Sequence, residues 1–235
     1  MNTLPQLARL KEAALDLLFP QWCLGCGREG AYICASCQRR LPRMIGPFCP
    51  VCSSPQASGL ICPACTSQRP EIDGIRSPFR FDGIMRQAIH QLKYRNLRAI
   101  ARLLARLLNE YLTANPIPGQ VLVPVPLHQK RLRQRGYNQS QLLVQELGRL
   151  AELPVVTDCL LRQRLAPPQA ETTTVAQRRA NVAQAFACLN DRLRDKQVLL
   201  IDDVATSGAT LNACAAALKA TGTSSVWGLT LAREV

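Results

Sequence analysis

The stretch Val198-Leu-Leu-Ile-Asp-Asp-Val-Ala-Thr-Ser-Gly-Ala-Thr210 decides how the rest of the chain is read. Its four leading apolar residues form the kind of unbroken run found in a central strand of a parallel sheet. Two adjacent acids follow, and a turn of small, hydroxylated residues with one glycine leads directly into the alanine-rich helix Leu211 to Ala220. Working outward, Val121 to Val125 and Pro154 to Leu161 read as strands on either side of a helix at Gln141 to Leu150, and Val226 to Leu231 reads as a last strand. Upstream, Gly74 to Phe81 alternates in a strand-like way. From Ile84 to Leu112 apolar residues (Ile100, Leu103, Leu104, Leu107, Leu108) recur at helical spacing until Asn115-Pro-Ile-Pro-Gly119 ends the helix. Strands alternating with helices imply an α/β fold with a mostly parallel sheet flanked by helices.

The turn also carries chemistry. A loop between the carboxyl end of a parallel strand and the amino end of a helix turns backbone N–H groups and positive dipole potential outward, which suits a phosphate. Thr206, Ser207 and Thr210 add hydroxyl donors, and Gly208 allows close backbone approach. Asp202 and Asp203 repel such an anion, but they can accept hydrogen bonds from vicinal hydroxyls or face a magnesium ion. Phosphate beside diol is the pattern of a 5-phosphoribosyl group. The bland alternative is a strand-turn-helix whose paired acids are a solvated helix cap.

Eight of the eleven cysteines form four C-x-x-C knuckles: Cys23/Cys26, Cys34/Cys37, Cys49/Cys52 and Cys62/Cys65. Four thiolates satisfy tetrahedral Zn²⁺, so two such sets make two structural sites. Sequential pairing, knuckles one with two and three with four, is expected because each half has its own short connection; a crossed pairing is the alternative. Closed four-thiolate shells hold a fold together and leave no open position for catalysis. Cys159, Cys188 and Cys214 are isolated and read as small core residues. The resulting organisation is an amphipathic helix within residues 1–20, a thiolate module over 21–68 and an α/β unit over 72–235.

The thirteen quoted residues resemble the 5-phosphoribosyl pyrophosphate (PRPP) signature of type I phosphoribosyltransferases. The resemblance implies a type I phosphoribosyltransferase fold behind a small N-terminal zinc-ribbon module. It makes Asp202, Asp203, Val204, Ala205, Thr206, Ser207, Gly208, Ala209 and Thr210 the PRPP-binding segment, the acids on the ribose hydroxyls and the loop on the 5-phosphate. Ala205 is smaller than the aliphatic residue usual there. Further segments narrow the resemblance to the ComF family: Val123-Pro-Val-Pro-Leu-His128, Arg131-Leu-Arg-Gln-Arg-Gly-Tyr-Asn-Gln-Ser140, Leu92-Lys-Tyr-Arg95 and Arg178-Arg-Ala-Asn-Val182.

By fold position, that likeness places a pyrophosphate loop at Pro124, Val125, Pro126, Leu127, His128, Arg131 and Arg135. Its cations suit a polyanionic leaving group, although such a run can also start a solvated helix or contact nucleic-acid phosphates. Asp202, Asp203, Arg135 and His128 are the candidate catalytic residues; His128 is a candidate proton donor or pyrophosphate ligand, with a loop-stabilising hydrogen bond as the alternative. A lid is expected to involve Arg164, Gln169, Arg178, Arg179 and Asn181, with Ala166 standing where the family commonly has threonine. Parts of Ile75 to Lys93 are expected in a hood over the acceptor. The implied chemistry is that of a glycosyltransferase acting on PRPP with Mg²⁺ and an unidentified acceptor. The implied setting is cytoplasmic, with single-stranded DNA and the competence machinery of DNA uptake as further partners.

Composition agrees with these readings without selecting among them. The formal net charge is +13, divided as +4 over residues 1–70, +8 over 71–150 and +1 over 151–235. This favours polyanionic partners, whether nucleic acid or a phosphate-rich small molecule. Charged residues interrupt the leucines of residues 4–18, so no export signal or membrane span is expected there. Arg98, Arg102 and Arg106 stand at i, i+4 and i+8 as a basic stripe, while an aromatic content of 5% supports no extended base-stacking platform.

Overall fold

The computed structural model describes residues 20–163 and 185–235. The expected N-terminal helix and the lid residues Arg164, Gln169, Arg178, Arg179 and Asn181 lie outside them. The main sheet contains β1 (Gly74–Arg76), β2 (Phe79–Arg80), β3 (Val121–Pro124), β6 (Gln197–Ala205) and β7 (Ser225–Arg233), in the order β1-β7-β6-β3 with β2 also on β7. Every pairing in it is parallel. β4 (Leu160–Arg162) and β5 (Phe186–Cys188) form a separate antiparallel pair.

The apolar run sits at the centre. β6 pairs along one edge with β3, Val198 to Ile201 against Val121 to Pro124, and along the other with β7 from Gln197 to Ala205. Its side chains alternate between two cores. Leu199 and Ile201 join Leu104 and Leu108 of α4 (Ile100–Ala114) and Leu143 and Leu147 of α6 (Gln139–Ala151). Val198 and Leu200 meet Leu211, Cys214 and Leu218 of α7 (Ala209–Lys219), together with Leu160 and Phe186 of the small antiparallel pair.

Two short helices, α1 (Ala35–Arg39) and α2 (Pro63–Ser67), belong to the thiolate module. That module is not a separate bead: Cys23, Ile33, Cys37 and Leu41 share the first core with Met85, Ile89 and Leu92 of α3 (Gly83–Tyr94). At Gly25 an added Cβ would meet Ile84 Cδ1 at 2.6 Å and Cys37 Sγ at 2.8 Å. Only a residue without a side chain permits that approach.

Three local expectations are corrected. The helical run from Ile84 to Leu112 breaks into α3 and α4, because Asn96 takes a left-handed φ of 55° that stops the first helix. Pro154 to Leu161 is not one strand. Leu122 donates to Pro154 O at 2.9 Å and accepts from Val156 N at 3.0 Å, after which the chain leaves β3 and pairs with β5 instead. The basic run beyond Pro124 is not wholly loop, since Gln129–Arg135 forms α5, ended by Gly136 at φ +77°. Among the described residues no helix is long and apolar enough to cross a membrane.

Leu104 is fully buried between sheet and helices. Leu104→Ala should lower unfolding free energy by about 2–5 kcal/mol in a denaturant titration, the usual cost of such a cavity.

Candidate functional site

β6 carries both acids to its carboxyl end, where they part to different partners. Asp202 Oδ1 accepts from Ser140 Oγ at 2.8 Å and from the Asp203 amide at 2.9 Å. Ser140 is placed by its own helix start, at which Asn138 caps α6 by accepting from the Ser140 amide at 3.0 Å. Asp203, only 3% exposed, has its Oδ2 2.7 Å from Lys93 Nζ at the end of α3. This is an ion pair without hydrogen-bond alignment. Burial first, and then the adjacent Asp203 carboxylate, push the Asp202 carboxyl up to about 7 against the opposing pull of Ser140, the Asp203 amide and Lys93.

The turn beyond the acids is largely open to solvent. Val204 and Ala205 still belong to β6, and Ala205 is spent on the core rather than the site. Thr206, Ser207 and Ala209 are exposed, Thr210 is half-buried and Gly208 has φ +78°. Ser207 Oγ accepts from the Ala209 amide at 3.3 Å. The N-cap residue Gly208 has no side chain to cap α7, and apart from the Ser207 hydroxyl that holds the Ala209 amide, no side-chain cap among the described residues takes up the positive end of the helix dipole.

On the β3 side, His128 caps α5, its Nδ1 accepting from Lys130 N at 3.1 Å. That bond gives His128 the loop-stabilising task. Arg131 and Arg135 join Lys93, Tyr94, Asn96 and Tyr137 around a cavity of about 280 Å³. Arg135 lies 5.2 Å over the Tyr94 ring and donates to Gln139 Oε1. Tyr137 donates its hydroxyl to Leu92 O, and Arg98 stacks 4.5 Å from its ring. Pro124 and Val125 are buried, whereas Pro126 and Leu127 are half-buried before the helix. Ile75 to Lys93, expected in a hood, supplies β1, β2 and α3.

Sequence reasoning missed Lys93 and Ser140 as partners of the two acids. Both lie inside the segments quoted for the family resemblance, so the only signal was membership of a motif.

The thiolates gather as two sets, Cys23/Cys26/Cys34/Cys37 and Cys49/Cys52/Cys62/Cys65, each with its sulfurs within 4.8 Å of one another. The sequential pairing is therefore the observed one and the crossed pairing is ruled out. Cys26 and Cys34 sulfurs lie 3.7 Å apart, as do those of Cys52 and Cys62. Thiolates about 2.3 Å from a tetrahedral ion stand about 3.8 Å apart, so both sets fit Zn²⁺. Donors offset the negative charge: Cys34 N to Cys23 Sγ at 3.3 Å, Arg40 Nη2 to Cys37 Sγ at 3.2 Å, and Cys62 N to Cys49 Sγ at 3.4 Å. By contrast burial pushes Cys159 up to about 12 and Cys214 well above the usual thiol range, as inert core residues require.

A mostly parallel α/β unit with paired acids at its central strand tip, fused to two four-thiolate sites, defines an α/β protein with a double zinc-ribbon module. Comparison with known proteins gives the family. The double zinc ribbon domain family matches residues 14–66. Competence protein F of Haemophilus influenzae is 32% identical over 209 residues, covering 84% of this chain and 89% of its own length. Competence protein ComFC of Bacillus subtilis is 29% identical over 210 residues, 86% of this chain and 84% of that one. DNA utilization protein YhgH of Escherichia coli K12 is 32% identical over 200 residues, 83% and 87% respectively. The chain belongs to the ComF family. Among solved structures, purine phosphoribosyltransferase from Pyrococcus horikoshii overlays on 56% of this chain and 71% of its own at 18% identity, with a TM-score of 0.33.

Folding takes up a proton at Asp202, held up to about 7 in the folded chain against about 3.9 when unfolded. That contribution to stability is complete below the unfolded value and is lost as pH rises through the folded one. Asp202→Asn should therefore gain stability on the wild type from about pH 4 to about 7, and keep a constant margin above. Paired melting curves across pH test this; a margin that ignores pH would show Asp202 to be freely solvated.

Proposed function

We propose that this protein binds PRPP with Mg²⁺ at the tip of β6 and transfers the phosphoribosyl group to an acceptor, releasing pyrophosphate. The observation that supports this best is the joint placement of Asp202 and Asp203 beside the hydroxyl-bearing turn at the start of α7. The turn and helix amides receive the 5-phosphate, with Thr206, Ser207 and Thr210 adding hydroxyl donors. The two carboxylates accept hydrogen bonds from the ribose hydroxyls, and Lys93 yields its contact with Asp203 to the incoming ligand. Arg131 and Arg135 face the pyrophosphate end from the neighbouring cavity.

The bond from C1 to the pyrophosphate oxygen breaks, with its electron pair leaving on pyrophosphate. The acceptor's lone pair forms the new bond to C1, and the acceptor's proton passes to the departing pyrophosphate or to solvent. Asp202, Asp203 and the pyrophosphate oxygens would hold Mg²⁺, which supplies neutralisation of the departing charge. The chain's own contribution is positioning: Ser140 fixes Asp202, and the caps at His128 and Asn138 fix the loops that carry the cations.

A second reading is favoured by a separate observation. Arg98, Arg102 and Arg106 line a cavity of about 640 Å³ with Tyr32 of the first ribbon and Leu142 and Gln145 of α6. Arg98 precedes α4 rather than belonging to it and its guanidinium stacks on Tyr137, so Arg102 and Arg106 supply the positive charge of this recess. It suits a nucleic-acid backbone, in keeping with the competence and DNA-utilization names of the relatives.

PRPP with Mg²⁺ at a hundred times its dissociation constant should stabilise the wild type by about 2.7 kcal/mol. That corresponds to a rise in Tm of roughly 5–10 °C for a chain of this size. Asp202→Ala combined with Asp203→Ala should abolish the rise; an undiminished rise in that variant refutes the site. Single-stranded oligonucleotide binding should fall steeply with salt, survive that double substitution, and weaken in Arg102→Ala with Arg106→Ala. Salt-insensitive binding, or binding unaffected by the arginine changes, removes the second reading.

A further inference from the structure

Ile75 does not direct its backbone only toward β7. Its N–H donates to Val51 O at 2.7 Å, and its C=O accepts from Ser53 Oγ. Both partners lie in or beside the knuckle Cys49–Cys52, so the second thiolate site acts as the next strand along the sheet edge. Ile75 is 1% exposed; its carbonyl also accepts from Arg76 Nη1 at 2.8 Å, but without the knuckle its amide would be buried and unpaired, which is costly. Arg76 reinforces the seam, donating from Nη1 to Pro50 O at 2.8 Å while its guanidinium lies 4.9 Å from the Trp227 ring.

The other side of Ile75 reaches the phosphate-side turn. A Cβ added at Gly208 would lie 2.8 Å from Ile75 Cδ1, so this side chain backs directly onto the residue whose φ of +78° shapes the turn. A second link runs in parallel: Asn212 Oδ1, in the first turn of α7, accepts from Glu71 N at 2.7 Å and Ile72 N at 3.2 Å, in the connection between the second thiolate site and β1.

We infer that Ile75 is a positioning residue through which the second zinc site, Cys49/Cys52/Cys62/Cys65, holds the Gly208 turn in its anion-binding shape. Among the described residues the first zinc site packs into the other face of the sheet, with Cys23 and Cys37 in the first core. The ligand half of this inference rests on the proposed PRPP site, whereas the coupling itself does not, and linkage makes it reciprocal. Disturbing the turn must loosen the second zinc as much as removing that zinc loosens the turn.

The ligand-free arm measures zinc release from the full chain to a chromogenic chelator. In Gly208→Ala, whose new methyl presses on Ile75, one of the two zinc ions should leave about tenfold faster, equivalent to ~1.4 kcal/mol, while the other keeps its wild-type rate. Ser53→Ala, which keeps all eight thiolates, should act in the same direction if Gly208→Ala fails to fold. Wild-type release rates for both ions in every variant overturn the coupling.

A second readout uses Trp227 fluorescence in a Trp22→Phe background. Ser53→Ala and Cys65→Ser should shift its emission as Arg76 loses the knuckle, and an unshifted spectrum counts against the coupling. In the ligand arm, Cys65→Ser should weaken PRPP binding about tenfold by calorimetry, with Ile75→Val close to wild type and Ile75→Ala close to Cys65→Ser. Wild-type affinity in Cys65→Ser overturns the positioning role. Absence of PRPP binding in the wild type itself refutes the proposed function, and the zinc-release rates then decide the coupling alone.

Discussion

The pairing of β6 along both of its edges is the constraint from which the rest follows. A strand hydrogen-bonded to β3 on one side and β7 on the other, with apolar side chains buried on both faces, has one place to put polar residues: its end. Asp202 and Asp203 arrive there together, and each finds a different partner. One is fixed by a serine hydroxyl from α6 and the other by a lysine from α3. The helices that cover the sheet thus also aim the two acids.

The electrostatic arrangement is uneven. Cations from α3 and α5 gather on the β3 side of the strand tip, whereas the α7 side offers amides and hydroxyls without a charged cap. An anion with one compact end and one heavily charged end would find a different surface for each. The ion pair between Lys93 and Asp203 spans the boundary and keeps a buried carboxylate compensated.

Much of this was legible in the sequence, for reasons that can be named. The run Val198 to Ile201 is readable because burial on both faces removes alternation, and the thiolate knuckles are readable because metal geometry demands paired ligands at fixed spacing. The strand at β7 and the helices α6 and α7 emerged with ends shifted by a few residues. What failed depended on distant partners. Asn96 breaks a helix whose apolar periodicity continues across the break, and the stretch after Pro154 looks like one strand although its two ends pair with different neighbours. Lys93 and Ser140 carry no local signal of their tasks, since each acts only when a helix lays it against β6. The seam between Val51, Ser53 and Ile75 was likewise invisible, being made largely of backbone groups that every sequence possesses.

The sharing of one core by the first thiolate set and α3 has a consequence for the life of the chain in a cell. Cys37 and Ile33 have no solvent exposure, and Leu41 has almost none. Newly made polypeptide that fails to acquire its ions must leave part of the α/β interior uncovered, the kind of surface that chaperones and proteases recognise. Abundance of the finished protein is thereby tied to the supply of available metal, and starvation for that metal would be felt as turnover of the whole chain rather than as loss of an appendage.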